Sequence, residues 1–313
     1  MRLTEYGVMD DGGQLEELCK GFGDEMVVKD EEMVRIGFQN INGLKGRIDA
    51  SHEVLSVVAE KDIDIMGLAE ININWTDKVK QAAHLAMKMR FGQGQIVASS
   101  SRGSKEGYLP GGVAIITRGR MTGRIVKRGA DEMGRYTWIV LNGRNGKQVM
   151  IISAYRTCKA GLRSGPHTAN MQQIKHLLKK GVVTPNPRRA ILSDLKLMIG
   201  EHRKAGGSVV LMMDANEEWE RERNGDLAEF LLETGLEDIH KMKQQEIPTT
   251  TYARGTKRLD HILVTPDLVQ TVRRAGYLPI HDGVIADHRL CYIDCNLVEF
   301  LGGNVNNIIR PHM

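Results

Sequence analysis

Along this chain the spacing of apolar residues switches between two periods. Val34-Arg35-Ile36-Gly37-Phe38 alternates apolar with polar or small residues, as a strand does. Residues 63–68 form a short apolar run closed by Ala69-Glu70, the pattern of a buried strand. Between them Ile48, Val54, Leu55, Val57, Val58 and Ala59 predict a helix over 47–60, and helical spacing returns over 77–90. The middle of the chain predicts successive strands at 96–99, 112–117, 122–127, 136–141 and 148–153. Asn142-Gly143 and Asn145-Gly146 mark a tight hairpin between the last two. Helices follow at 167–180 and 188–205, separated by Thr184-Pro185-Asn186-Pro187, with Pro187 suited to a first helical turn. A buried strand at 209–213, a helix at 225–234 and strands at 259–264, 272–277 and 290–297 complete the set.

Roughly ten strands are too many for one comfortable open sheet, so two packed sheets with helices outside are predicted, an α/β architecture. No internal repeat or low-complexity tract interrupts the pattern. The expected organisation is an acidic, mobile N-terminal extension over 1–32 with at most one short helix near 15–19, a domain over 33–299, and a C-terminal tail over 300–313 that opens a truncated region.

Composition narrows the class. The 313 residues are 41% hydrophobic and 26% charged, ordinary for a globular protein. No apolar stretch has the length of a membrane span, and the N-terminus lacks the apolar region of a secretory signal. Cys19, Cys158, Cys291 and Cys295 form no CxxC pair, which argues against a zinc knuckle and a disulfide framework. An intracellular location, nucleus or cytoplasm, is expected. The formal net charge of +4 conceals −7 over residues 1–32 and +11 over the rest. A basic body suits a polyanion, because Lys and Arg displace condensed counterions from phosphates.

The chemistry shows in what ends the strands. Asn40 and Asn42 follow the first, Glu70 the second, and Tyr155 the strand at 148–153. Asp214 and Asn216 follow 209–213, Asp260-His261 opens the next strand, and Asp287-His288 precedes 290–297. Residues at strand ends in α/β layers converge on one rim. Taken singly each has a plainer reading: a turn at Asn40–Gly43, a helix cap at Asp214, a solvated Glu70. Jointly they suit phosphodiester hydrolysis. Asn40 and Glu70 are hard oxygen ligands of the kind Mg²⁺ takes, a carboxylate-held His acts on a proton or a phosphate, and Tyr or Asn donates to phosphate oxygens.

The order Gln39-Asn40-Ile41-Asn42-Gly43, Gly67-Leu68-Ala69-Glu70, Ala154-Tyr155, Met213-Asp214-Ala215-Asn216, Arg258-Leu259-Asp260-His261 and Ala286-Asp287-His288 resembles the endonuclease/exonuclease/phosphatase superfamily over roughly residues 33–299. The resemblance implies a four-layered α/β sandwich and a Mg²⁺-dependent hydrolase, with Mn²⁺ a possible substitute. It implies a metal site at Asn40 and Glu70, supported by Asp287. It also implies that Asp214 orients or deprotonates the attacking water, that Asn216 holds Asp214 and the phosphate, that Asp260 orients His288 on the scissile phosphate, and that Tyr155 donates to it. Relatives often carry Tyr-x-Pro-Asn where this chain has Tyr155-Arg156-Thr157-Cys158, which makes Arg156 the expected replacement phosphate ligand. Asn74-Trp75 and the helical insertion over 160–205 are similar to endonuclease domains of non-long-terminal-repeat retrotransposons. Those domains nick DNA, so double-stranded DNA is the expected partner, with no membrane and no obligate protein partner. The loop with Arg102 and Lys105, and the run Arg118, Arg120, Arg124, Lys127 and Arg128, are candidates for a backbone-tracking groove. Two alternatives remain open: a phosphatase acting on a small phosphorylated substrate, and a catalytically inactive nucleic-acid-binding relative.

Overall fold

A computed structural model describes residues 12–44, 49, 52–101, 109–159, 165, 167–219, 225–244 and 250–303. In chain order the first elements are α1 (Gly12–Cys19), β1 (Phe22–Gly23), β2 (Met33–Asn40), α2 (Glu53–Glu60), β3 (Ile65–Ala69), α3 (Asp77–Phe91), β4 (Gly94–Ser99) and β5 (Val113–Arg118). Then come β6 (Ile125–Ala130), β7 (Tyr136–Asn142), β8 (Gln148–Tyr155), α4 (Ala169–Lys179), α5 (Pro187–Lys204), β9 (Ser208–Asp214) and α6 (Asp226–Thr234). The last are β10 (Glu237–Asp238), α7 (Ile239–Lys243), β11 (Asp260–Val264), α8 (Pro266–Val269), β12 (Val272–Tyr277), β13 (Cys291–Asn296) and α9 (Leu297–Phe300).

The strands form two sheets, one of seven in the order β1-β12-β13-β2-β3-β5-β4 and one of six in the order β10-β11-β9-β8-β7-β6. Their inner faces meet in one core, where Ile36, Phe38, Ile65 and Ile115 of the first sheet join Ile139, Ile151, Val210, Met212 and Ile262 of the second. On the outer face of the first sheet α2 and α3 bury Val54, Leu55, Val58 and Met87 over Met66, Leu68 and Ile116. On the other side α5 and α6 bury Ile191, Leu195, Leu227 and Phe230 over Ile152, Leu211 and Met213. The result is the expected four-layered sandwich. It explains why β3, β8 and β9 read as apolar runs rather than alternations: both faces of each are covered. Gly67 of β3 lets the sheets approach closely, since a Cβ there would lie 2.7 Å from the end of the Met212 side chain across the core, which would have to shift.

Two pairs are parallel, β2 with β3 and β8 with β9, and the other pairs are antiparallel. The hairpin after β7 turns through Asn145 and Gly146, both at positive φ, with the Lys147 amide donating to Arg144 O at 2.9 Å. The helix starts also follow the sequence: Thr76, Thr168 and Asn186 cap α3, α4 and α5, and Pro187 takes the first turn of α5.

Several boundaries differ. Residues 119–124 make a 3₁₀ turn, so the strand expected from 122 begins at Ile125. The helix expected over 47–60 starts at Glu53, and 47, 48, 50 and 51 lie outside the described residues. The acidic segment does not stand apart in its described part. Phe22 and Gly23 pair with Tyr277 and Gly276, and Leu18 and Phe22 are buried. Those two apolar side chains anchor a stretch whose charge balance hid them. At the other end α9 and Leu301 are buried in the body, with Arg144 donating to Leu301 O at 2.8 Å.

A buried imidazole sets an acid limit on this fold. His240 of α7 places Nε2 3.2 Å from both Gly276 O and Tyr292 O; since both are acceptors, Nε2 carries hydrogen. Burial holds its pKa down at about 4, against the pull of Asp238. The unfolded chain takes up this proton near pH 6.5, so the stabilisation is complete above that pH and is lost as pH falls towards 4. Urea midpoints are expected to show a loss on the order of 2–3 kcal/mol between pH 7 and 4.5, and His240→Gln to flatten that part of the curve.

Candidate active site

Strand direction gathers the polar residues. The parallel pairs bring the C-terminal ends of β2 and β3, and of β8 and β9, to one rim. Strand β11 runs antiparallel to β9 with Asp260 directly opposite Asp214, and Tyr155 lies opposite Asp214 in the β8–β9 ladder. Strand β13 pairs Cys291 with Phe38, so the residues just before it reach the Asn40 end of β2. Asn40, Glu70, Tyr155, Asp214, Asp260 and His288 therefore share one rim, as their positions in the sequence predict.

Their side chains form a continuous network. Asn40 Nδ2 donates to Glu70 Oε1 at 3.1 Å and to Asp214 Oδ2 at 2.8 Å. The Asn42 amide donates to Asn40 Oδ1 at 3.0 Å, while the Asn42 side chain is exposed. The Asn216 amide donates to Asp214 Oδ1 at 3.0 Å, so both oxygens of Asp214 are fixed. His288 Nδ1 lies 2.8 Å from Asp260 Oδ2. Ligand atoms of Asp214, Asp260 and His288 lie within 4.8 Å of one another, and all three residues are buried. Asn42, Glu70, Asn72 and Asn216 all have positive φ, a cluster of backbone strain on this rim.

Burial and neighbouring charge act on these groups together. Burial and then the Asp260 charge push the Asp214 carboxyl up, against the pull of His288. Burial alone would lower the His288 pKa, but the charge and hydrogen bond of Asp260, with Asp214 and Asp287 behind, push it up to about 10. The ring is thus cationic at neutral pH, with Asp260 fixing which nitrogen faces the site. Burial, then the Glu70 charge, raise Tyr155 well above its ordinary value, so its phenol keeps its proton.

The set fits a divalent cation. The Asn40 amide bridges the carboxyl groups of Glu70 and Asp214, oxygen donors of the kind a hard divalent cation takes. Asp260 Oδ1, fully buried, has no hydrogen-bond partner among the described residues.

Four expectations change. Arg156 does not reach the rim. Its guanidinium is fully buried and donates to Glu217 Oε2 at 2.6 Å, Asp226 Oδ2 at 3.0 Å and the carbonyls of Arg188 and Ala215. A charge buried with two carboxylates is held by them rather than by substrate. Asn216 holds Asp214 as expected, but its side chain donates to Arg156 O at 2.8 Å and accepts from Cys158 Sγ at 3.1 Å rather than facing outward. Of the basic run, Arg118 bonds Asp62 and Ile63 O, Arg120 bonds Met33 O and Arg124 bonds Asn142 O. These partners sit at the opposite strand ends, away from the rim. Lys127 and Arg128 lie on the exposed part of edge strand β6, and Arg102 and Lys105 lie outside the described residues. Asp287 lies 3.9 Å from Arg254 Nε and is not part of the Asp214 cluster.

Other residues were not singled out. Gln39 donates to Val284 O and His288 O, both at 2.9 Å, and so holds the His288 backbone. Thr251 Oγ1 accepts from the amides of Leu259 and Asp260. Tyr252 places its ring 4.9 Å from the His288 ring. Asn72 Oδ1 accepts the Gly111 amide at 2.8 Å and ties the Glu70 loop to the next one. Gln39 stands in the quoted motif, but Thr251 and Tyr252 become visible only once β11 is paired with β9.

The two-sheet sandwich with this rim defines a fold of the deoxyribonuclease I type. Residues 37–288 match the family model described as Endonuclease/Exonuclease/phosphatase family, and the chain belongs to that family, whose members are hydrolases of phosphoester bonds. The fold is similar to the AP endonuclease LMAP from Leishmania major, with a TM-score of 0.63 at 15% identity over 92% of this chain and 99% of that one. It is also similar to the 3′ phosphatase NExo from Neisseria bound to product DNA hairpin, with a TM-score of 0.56 at 19% identity over 83% of this chain and 98% of the other. The human Nocturnin catalytic domain with bound sulfate has a TM-score of 0.55 at 17% identity over 85% of this chain and 95% of its own. No curated protein matches in sequence. Among the described residues no helix is long and apolar enough to cross a membrane.

Proposed function

We propose that this chain is a Mg²⁺-dependent phosphodiesterase that cuts nucleic acid, acting as an endonuclease on double-stranded DNA in the manner of retrotransposon endonuclease domains. The observation that carries the reading is the His288–Asp260 bond at 2.8 Å set directly against Asp214, itself locked by Asn40 and Asn216. The AP endonuclease and the DNA-bound 3′ phosphatase share the fold and support nucleic acid as the substrate class.

The geometry supports the following roles within this reading. His288 presents its cationic Nε2–H to a phosphate oxygen, with Asp260 holding the ring. Asp214 takes a proton from the attacking water, its orientation set by two N–H donors. Tyr155 donates to a non-bridging oxygen. Asn40 and Glu70 would hold the metal, which when bound neutralises charge developing on the phosphoryl group.

The test is nicking of supercoiled plasmid. Wild-type protein is expected to nick with Mg²⁺ and to stop with chelator, and Asp214→Asn to lower the rate by roughly 10²-fold or more. Failure of the wild type to cut any nucleic acid would favour the inactive binding relative. Release of phosphate from inositol phosphates without DNA cutting would favour the small-substrate phosphatase.

A further inference from the structure

Arg289 follows the catalytic histidine in sequence and is fully buried. Among the described residues its side chain has no carboxylate as a hydrogen-bond acceptor; it donates to four main-chain carbonyls instead. Nε donates to Thr250 O at 3.1 Å, Nη1 to Leu278 O at 3.0 Å and Lys20 O at 2.7 Å, and Nη2 to Glu17 O at 2.5 Å. Its guanidinium also lies 5.0 Å from the centre of the Phe22 ring. Half of these acceptors, and the ring, therefore belong to the N-terminal segment.

The other contacts lead to the reacting pair. The Arg289 amide donates to Thr251 O at 2.9 Å, and Thr251 Oγ1 receives the amides of Leu259 and Asp260. Tyr252 bridges His288 by backbone pairing and lies against its ring. One guanidinium thus ties the N-terminal segment to the backbone on both sides of the His288–Asp260 bond. A buried cation satisfied by carbonyls alone leaves polar groups unpaired as soon as one acceptor moves, so the arrangement holds only while the segment stays docked.

We infer that Arg289 is a positioning residue that makes the docked N-terminal segment part of the active site, by fixing the backbone that carries His288 and the start of β11 at Asp260. This rests on the role proposed above for His288, and the test includes a readout that needs no catalysis. In the full chain, Arg289→Met removes the tie, Leu18→Asp displaces the segment by charging a buried contact, and Arg289→Lys restores one cationic donor. The first readout is the downfield proton resonance of His288 Nδ1–H, identified by its loss in His288→Gln. The second is kcat against KM on a DNA duplex.

Arg289→Met and Leu18→Asp are expected to broaden or abolish the resonance and to lower kcat at least tenfold, with KM within threefold and a cooperative melt retained. Arg289→Lys should recover part of both. A sharp resonance at its wild-type position in Leu18→Asp, with kcat unchanged, would overturn the inference even if Arg289→Met fails to fold. Should the wild type cut no DNA, the resonance still decides the positioning role.

Discussion

Replacing His288 by alanine is expected to lower kcat for strand cleavage by roughly 10³-fold with KM little changed, because in the role proposed for it the ring acts on charge that develops in the transition state. The residue is buried and its Nδ1 is already committed to Asp260, so it adds little to ground-state binding. Asp260→Asn is expected to lower kcat on the order of 10²-fold: an imidazole remains, but the carboxylate that fixes its orientation and favours its cationic form does not. The double substitution should be scarcely worse than His288→Ala alone, since Asp260 acts through the ring. Single-turnover cleavage of a labelled duplex measures all three. Additive losses would show that Asp260 acts on the substrate independently.

The second large effect is on stability. Arg156→Met is expected to destabilise the fold by about 3–5 kcal/mol, because it leaves Glu217 buried without its 2.6 Å partner and Asp226 without one of its two. Arg188 also reaches Glu217 at 3.0 Å and softens the loss without removing it. Chemical denaturation at neutral pH gives the number, and Arg156→Met combined with Glu217→Gln should recover part of it. Activity below the melting range should survive better than in the His288 series, because the Arg156 side chain reaches the site only at Ala215 O, at 3.3 Å, while its backbone donates to Asp214 O and accepts from Asn216. A loss of cleavage in fully folded Arg156→Met would return the side chain to phosphate binding.

These two residues show what the sequence can and cannot tell. His288, Asp260, Asp214, Asn40 and Glu70 were legible because each ends or opens an apolar run, and the parallel pairing of β2 with β3 and β8 with β9 turns that pattern into proximity. Arg156 sits in the same pattern, one residue beyond Tyr155, yet its side chain turns inward to Glu217 and Asp226. Those acids are distant in sequence, and a buried ion pair has no local signature. The run from Arg118 to Arg128 failed for a related reason: charge spacing gives no information about which end of a sheet a hairpin occupies. Gln39 and Arg289 act through backbone carbonyls, which carry no side-chain label, and Tyr252 acts by ring contact with His288, which spacing along the chain does not reveal. The acidic composition of the first 32 residues described the surface of that segment but not Leu18 and Phe22, which anchor it.

The ladders that set Asp214 against Tyr155 on one side and Asp260 on the other have a consequence for change over time. The spacing of the reacting groups is stitched by backbone pairing, so it does not depend on how much chain runs between them. The loops within the stretches joining β8 to β9 and β9 to β11 can lengthen or shorten without moving those three residues, as long as α5, α6, Asn216 and Thr251 keep their contacts. One catalytic frame can therefore be fitted to differently shaped substrates by altering its loops, whereas a single-residue slip within β9 would turn Asp214 to the far side of its sheet.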